Sequence, residues 1–313
     1  MHQMGVNKIL RNLLCLCLCT SAAQHGHAET RMALVIGNGK YENLDQLRTP
    51  ENDATTMGET LSSLGFQVFL ATNLNGERMR NALTLFQEKV EFSDTVLVYF
   101  AGHGTQNYGV NYLMPIDFDP NNSSKKIDAI NVETIVGALS NQLRTNLFIF
   151  DACFNELNQN STGENSNARA VNAPPMGSLI TFSTTIGKKA FDGVANHSIF
   201  TGALLDNMKI PDIDIEELFR NTRRDVLVNS NNHQMPTTIS SLITQFRLNA
   251  TQSLDDDTVD QNFMHLSEYG FSHKSVLRDM ENGLEISQHD KAKQALRKLL
   301  CAKLDSPLPR QCQ

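Results

Sequence analysis

The sequence has no block of basic residues and no basic stripe interleaved with aromatics, and its formal net charge is −7. That balance excludes nucleic acid as the expected partner. Long hydrophobic runs are also missing. The one apolar stretch with a targeting character, residues 13–19, is too short to span a bilayer. Tryptophan is absent, and three of the six cysteines, Cys15, Cys17 and Cys19, fall within that N-terminal stretch. Several motifs are absent as well. Gly37-Asn38-Gly39 is followed by Glu42 where a dinucleotide fingerprint needs a third glycine, and Gly102-His103-Gly104 fails the same test at Asn107. No Lys-Ser or Lys-Thr pair completes a phosphate loop, and no Gly-x-Ser-x-Gly elbow offers a serine nucleophile. His103, Asp151 and Cys153 lack further ligands at metal-binding spacing, and His197 and His233 lie in no ligand pattern, so no metal site is expected.

What is present begins with an address. Lys8 and Arg11 precede the apolar core, and Ser21, Ala22, Ala23 and Ala28 follow it, the order of a secretory signal peptide over residues 1–28. Its removal takes away two basic residues and no acid, which moves the formal charge from −7 to −9. The chain is then expected to be exported, periplasmic or extracellular, with no stable membrane anchor. Cys153, Cys301 and Cys312 remain. In an oxidising compartment Cys301 and Cys312 are candidates for a disulfide, which leaves Cys153 as a free thiol.

The body of the chain, at 40% hydrophobic and 19% charged residues, has the composition of a folded domain. Apolar runs at 32–38, 66–71, 95–101, 147–151, 179–183 and 237–242 read as strands, and segments at 51–64, 77–92, 132–142, 198–208 and 215–228 carry helical spacing. A hairpin is expected near residues 112–114. This alternation predicts an α/β fold with a mainly parallel sheet of about six strands flanked by helices. Residues 154–177 read as a flexible polar loop, and 249–313 as a helical C-terminal extension that opens on Asp255-Asp256-Asp257. That acidic run reads as a solvated linker before it reads as a calcium site.

Two of the strands end in reactive side chains. Thr95-Val96-Leu97-Val98-Tyr99-Phe100-Ala101 runs into Gly102-His103-Gly104, and Leu147-Phe148-Ile149-Phe150 runs into Asp151-Ala152-Cys153, fifty residues further on. Strands buried on both faces deliver functional residues at their carboxyl ends. A lone histidine or cysteine is more often core filling. As a pair at one sheet edge they suit nucleophilic catalysis, with the imidazole raising the thiolate fraction and supplying a proton to the leaving amine. The glycines let the backbone turn tightly, so that the N–H groups of Gly104 and Cys153 can converge on an oxyanion, each donor contributing on the order of 3 kcal/mol.

Ala101-Gly102-His103-Gly104 and Asp151-Ala152-Cys153 resemble the histidine and cysteine motifs of caspase-like cysteine peptidases, which share the fifty-residue spacing. Asn52-Asp53, Leu64-Gly65-Phe66, Asn111-Tyr112-Leu113-Met114-Pro115, Phe182-Ser183-Thr184-Thr185 and Ile199-Phe200-Thr201 add to the resemblance, which covers residues 31–248. It is nearer to metacaspases and their prokaryotic relatives, because Asp151 stands where animal caspases have Gln.

The resemblance implies a caspase-like three-layer sandwich over residues 29–248 and a Cys153–His103 dyad acting on peptide or protein substrates. It also implies a specificity pocket lined by Asp53 and Asp151, which selects Arg over Lys, and a strand at Ser183 that holds the peptide backbone. Asp53 as a first-turn helix residue and Asp151 as a strand-end cap are the structural alternatives. Self-cleavage after Arg169, the one basic residue in 155–175, follows from the same likeness, as does calcium as the one candidate cofactor. Phe154 departs from the family, where Arg commonly follows the cysteine. The reading from another class is a catalytically silent caspase-fold module that binds a peptide or partner.

Overall fold

The apolar runs of the sequence become the strands of one sheet. A computed structural model describes residues 29–121, 129–156, 173–185, 196–250 and 263–265. In chain order the elements are β1 (Arg31–Gly37), α1 (Pro50–Ser63), β2 (Phe66–Thr72), α2 (Gly76–Lys89), β3 (Thr95–Ala101), β4 (Gly104–Asn107), β5 (Val110–Leu113) and β6 (Ile130–Asn131). They continue with α3 (Val132–Leu139), β7 (Thr145–Asp151), β8 (Phe154–Glu156), β9 (Ser178–Phe182), α4 (Ile199–Met208), α5 (Ile215–Asn229), β10 (Thr237–Ser240) and β11 (Phe263–His265).

The main sheet has the order β10-β9-β7-β3-β1-β2, with the short β11 added beside β2. All of its pairings are parallel except β10 with β9. This is the expected α/β sandwich with about six principal strands. Successive side chains of a strand point to opposite faces, and here both faces are covered. Leu34, Val98, Phe100, Phe148 and Phe150 face one core with Phe86 of α2 and Ile135 of α3. Val35, Leu97, Tyr99, Leu147 and Ile149 face the other, with Met57 and Leu61 of α1, Leu204 of α4 and Leu218 of α5.

Three expectations are corrected. The helix predicted over 132–142 stops at Leu139, because Asn146 Oδ1 accepts the N–H of Asn141 at 3.2 Å and the Arg144 guanidinium donates to the Leu139 carbonyl. The loop predicted from 154 begins instead with β8, which pairs in parallel with β4 and completes a small sheet ordered β6-β5-β4-β8. Within 249–313, residues Phe263–His265 form a strand on β2. The signal segment, Arg169, Cys301, Cys312, Asp255-Asp256-Asp257 and the predicted C-terminal helices lie outside the described residues.

Gly37-Asn38-Gly39, set aside as a nucleotide loop, proves to be a joint. A Cβ on Gly37 would lie 2.2 Å from the Pro50 carbonyl oxygen and 2.7 Å from Ala54 Cβ. The first turn of α1 therefore rests directly on the end of β1 and brings Asp53 to the carboxyl edge of the sheet. Asn38 is fully buried; its Oδ1 accepts the Leu74 N–H, and its Nδ2 donates to the carbonyls of Leu74 and Met114. Because the Gly37 neighbour is helix backbone and cannot rotate away, Gly37→Ala is expected to lower stability by roughly 1–3 kcal/mol or more, read from urea unfolding. An unchanged midpoint would contradict this close contact.

Candidate active site

β3 and β7 run parallel with Ala101 level with Asp151, and the Gly102 N–H donates to the Asp151 carbonyl at 3.1 Å. Two residues on, Gly104 pairs with Phe154 as β4 and β8 begin. Backbone pairing on both sides thus holds His103 and Cys153 in step across neighbouring strand ends. Cys153 is half-buried and, among the described residues, forms no disulfide.

His103 is held from three sides. Its Nε2 lies 2.8 Å from the carbonyl oxygen of Asp45, which can only accept. Nε2 therefore carries the proton in the neutral ring, and Nδ1 is the basic nitrogen. The His103 backbone N–H donates to Tyr41 Oη at 2.7 Å, while the Tyr41 hydroxyl donates to the Met114 carbonyl at 3.1 Å. The two rings meet at 4.5 Å between centroids. Burial pushes the Tyr41 hydroxyl far above its ordinary pKa, so it stays protonated as that donor. Gly102 is required beneath this arrangement: its φ is +156°, and a Cβ there would approach Tyr41 Oη to 2.6 Å.

Gly104 lies against the cysteine loop, where a Cβ would be 3.1 Å from the Cys153 carbonyl oxygen and 2.9 Å from the Phe154 ring. Phe154 is 1% exposed and packs edge-on against Phe182 at 5.3 Å. The residue after the cysteine therefore serves here as a core anchor. Burying an arginine in that place would leave a charge without water, which accounts for the departure from the resembled motif.

Behind the thiol lies a buried polar network. Asp151 Oδ2 accepts the hydroxyls of Thr201, at 2.7 Å, and of Ser198. With the Thr201 hydroxyl donating to the carboxylate, the Tyr99 hydroxyl 2.6 Å away donates to Thr201. Ser198 caps α4, accepting the Thr201 N–H at 2.9 Å. Asp53 is 1% exposed and accepts the Ser198 N–H at 3.3 Å to each oxygen, with His197 Nδ1 2.8 Å from its Oδ1. Burial, and secondarily the charge of Asp151, push the Asp53 carboxyl up to about 7, against hydrogen bonds from His197, Thr49 and Ser198.

The structure thus brings His103, Gly104, Cys153, Asp151 and Asp53 to one edge of the sheet. Ser183 joins them differently from expectation. It is fully buried, its N–H donates to the Phe150 carbonyl at 2.9 Å, and its carbonyl accepts Gln234 Nε2 at 2.8 Å, so it has no backbone donor left for an added strand. Tyr41 and the Asp45 carbonyl escape the sequence reading, as do the roles of His197, Ser198 and Thr201, although Ile199-Phe200-Thr201 counts toward the resemblance. A serine directly before a helix was the one local signal, that of an N-cap. Among the described residues no group of three or more His, Cys, Asp or Glu is placed to hold a metal ion, and no helix is long and apolar enough to cross a membrane.

A family model of the caspase domain matches residues 30–247. The human mucosa-associated lymphoid tissue lymphoma translocation protein 1 is 28% identical over 186 residues, which is 58% of this chain and 22% of that protein. Horse caspase-1 is 27% identical over 238 residues, covering 66% of this chain and 56% of that protein. The chain therefore spans from 22% to 56% of these relatives' length. Caspase-1 from Spodoptera frugiperda superposes with a TM-score of 0.53 at 21% identity, over 72% of this chain and 92% of that one, a likeness of fold.

The Asp53 carboxyl supplies a pH test. Folded, it keeps its proton to about pH 7; unfolded, it releases it near about 3.9. Between those values the folded state binds more protons, so the stability tied to that proton is present below the lower value and lost as pH rises through the higher. Asp53→Asn removes the dependence. Its melting temperature relative to wild type is expected to rise between pH 5 and pH 8, and a constant difference would count against the shift.

Proposed function

This chain belongs to the caspase-domain family, and we propose that it is a cysteine endopeptidase that cuts after basic residues, Arg before Lys. The observation that carries the proposal is the two-sided pairing that sets His103 and Cys153 in step, with the His103 tautomer fixed by Asp45. Nδ1 takes the thiol proton, and the Cys153 thiolate attacks the scissile carbonyl carbon, forming a C–S bond. The N–H groups of Gly104 and Cys153 receive the resulting oxyanion. His103 then gives its proton to the departing amine as the C–N bond breaks. Water attacks the thioester, His103 takes a proton from it, and the C–S bond breaks to release the acid and restore the thiol.

The basic preference rests on Asp53 and Asp151. Burial, and secondarily repulsion from the Asp151 carboxylate in the same network, holds the proton on Asp53 to about pH 7. A guanidinium relieves that repulsion and pairs in two directions at once, which an ammonium does less well. The exported location rests on the pattern of residues 1–28, and maturation by cleavage after Arg169 rests on its being the one basic residue in 155–175. Calcium dependence would fall to Asp255-Asp256-Asp257.

Paired fluorogenic peptides ending in Arg and in Asp test the reading. Wild type is expected to cleave the Arg peptide under reducing conditions, Cys153→Ala to abolish turnover, and His103→Ala to lower kcat by about 10²–10⁴-fold. Asp151→Asn is expected to raise KM for the Arg peptide. Absence of Cys153-dependent turnover, with or without calcium, would leave the silent binding module; turnover on the Asp peptide would overturn only the pocket.

A further inference from the structure

At 1% exposure, Asp53 does not meet an arriving side chain in the open. His197 stands on it, 27% exposed, with Nδ1 2.8 Å from Oδ1. The other described groups around Asp53 are the Ser198 N–H ahead of α4, the Thr49 side chain at the start of α1, Asp151 from β7 and Tyr99 from β3. Asn52 Nδ2 lies 3.2 Å from the same His197 nitrogen and donates to the Asn196 carbonyl at 2.8 Å. Of these groups, His197 is the one that can carry positive charge.

The chemistry of this contact is constrained. A carboxylate oxygen and a ring nitrogen at 2.8 Å need one proton between them. With Asp53 ionised, Nδ1–H donates to it. With Asp53 protonated, its O–H donates to the one lone pair of Nδ1. Either way the Asp53–His197 pair holds that proton, and with the Ser198 N–H also reaching Oδ1 at 3.3 Å that oxygen has both of its lone pairs engaged.

Resting on the basic-residue reading above, we propose that His197 is a specificity-determining residue: it occupies, on Asp53, the place taken by the substrate's cationic side chain, and it gives way when that side chain binds. The shared proton leaves in the exchange, because a guanidinium brings its own donors. Entry is therefore a substitution of one donor for another on a buried acid. A neutral side chain offers no donor set able to displace His197, so the exchange itself discriminates against it.

Agmatine, a guanidinium without a scissile bond, probes the pocket as a competitive inhibitor of hydrolysis of the Arg-ended peptide. For wild type its inhibition constant is expected to fall several-fold from pH 6 to pH 8 as the shared proton becomes easier to release. His197→Ala removes the occupant and is expected to lower both that constant and KM for the Arg peptide by roughly tenfold, with the change carried by KM rather than kcat. Should the alanine variant fail to fold, His197→Asn, which keeps a donor but cannot take a charge, is expected to flatten the pH dependence and lower the constant about threefold. Constants equal to or above wild type in the folded variant would overturn the inference while Arg-directed cleavage stands. Wild type that neither cleaves the Arg peptide nor binds agmatine would overturn both.

Discussion

Parallel pairing of β3 with β7, Ala101 level with Asp151, is the constraint on which the site depends. A slip of one residue would turn every side chain of one strand to the opposite face, moving Phe148 and Phe150 out of one core and Ile149 out of the other. Register is thus fixed by some of the most deeply buried side chains in the molecule. The positions of His103 and Cys153, just beyond those strands, inherit that precision.

The small sheet extends the same control past the strand ends. β4 and β8 resume parallel pairing at Gly104 and Phe154, and Phe154 is anchored against Phe182. Between the two paired regions only Gly102-His103 and Ala152-Cys153 are free of strand geometry. Tyr41 and the Asp45 carbonyl, both from the polar turn after β1, then fix the imidazole from the side. Rigid strands set the positions, and a short loop sets the tautomer.

His103 and Cys153 are legible in the sequence because each follows a continuous apolar run, a signal that survives without any knowledge of tertiary contacts. The supporting residues were not. His197 and Asp53 are separated by 144 positions, and nothing local to either predicts the contact. Phe154 was hidden by its neighbours: one aromatic ahead of a long polar stretch reads as loop, and its burial depends on a gap that only Gly104 leaves open. The helix after β6 is shorter than its spacing predicts for a similar reason, since its end is set by Arg144 and Asn146 beyond it. Tyr41 sat in a turn whose composition is polar, and its role depends on Gly102 having no side chain.

Two acids deep behind the thiol would be a liability in a purely structural network. Asp151 satisfies itself with the hydroxyls of Ser198 and Thr201, and an uncharged residue of similar shape could pack there without the charge that, second to burial, pushes Asp53 up to about 7. Fold stability alone therefore gives no reason for the second acid, since breaking even with hydrophobic substitutes is the best that buried charges usually do. Its presence two residues before Cys153 makes sense if the repulsion it adds is released when a cation arrives. On the proposed preference for a basic residue, the cost in the free protein then becomes selectivity in the complex.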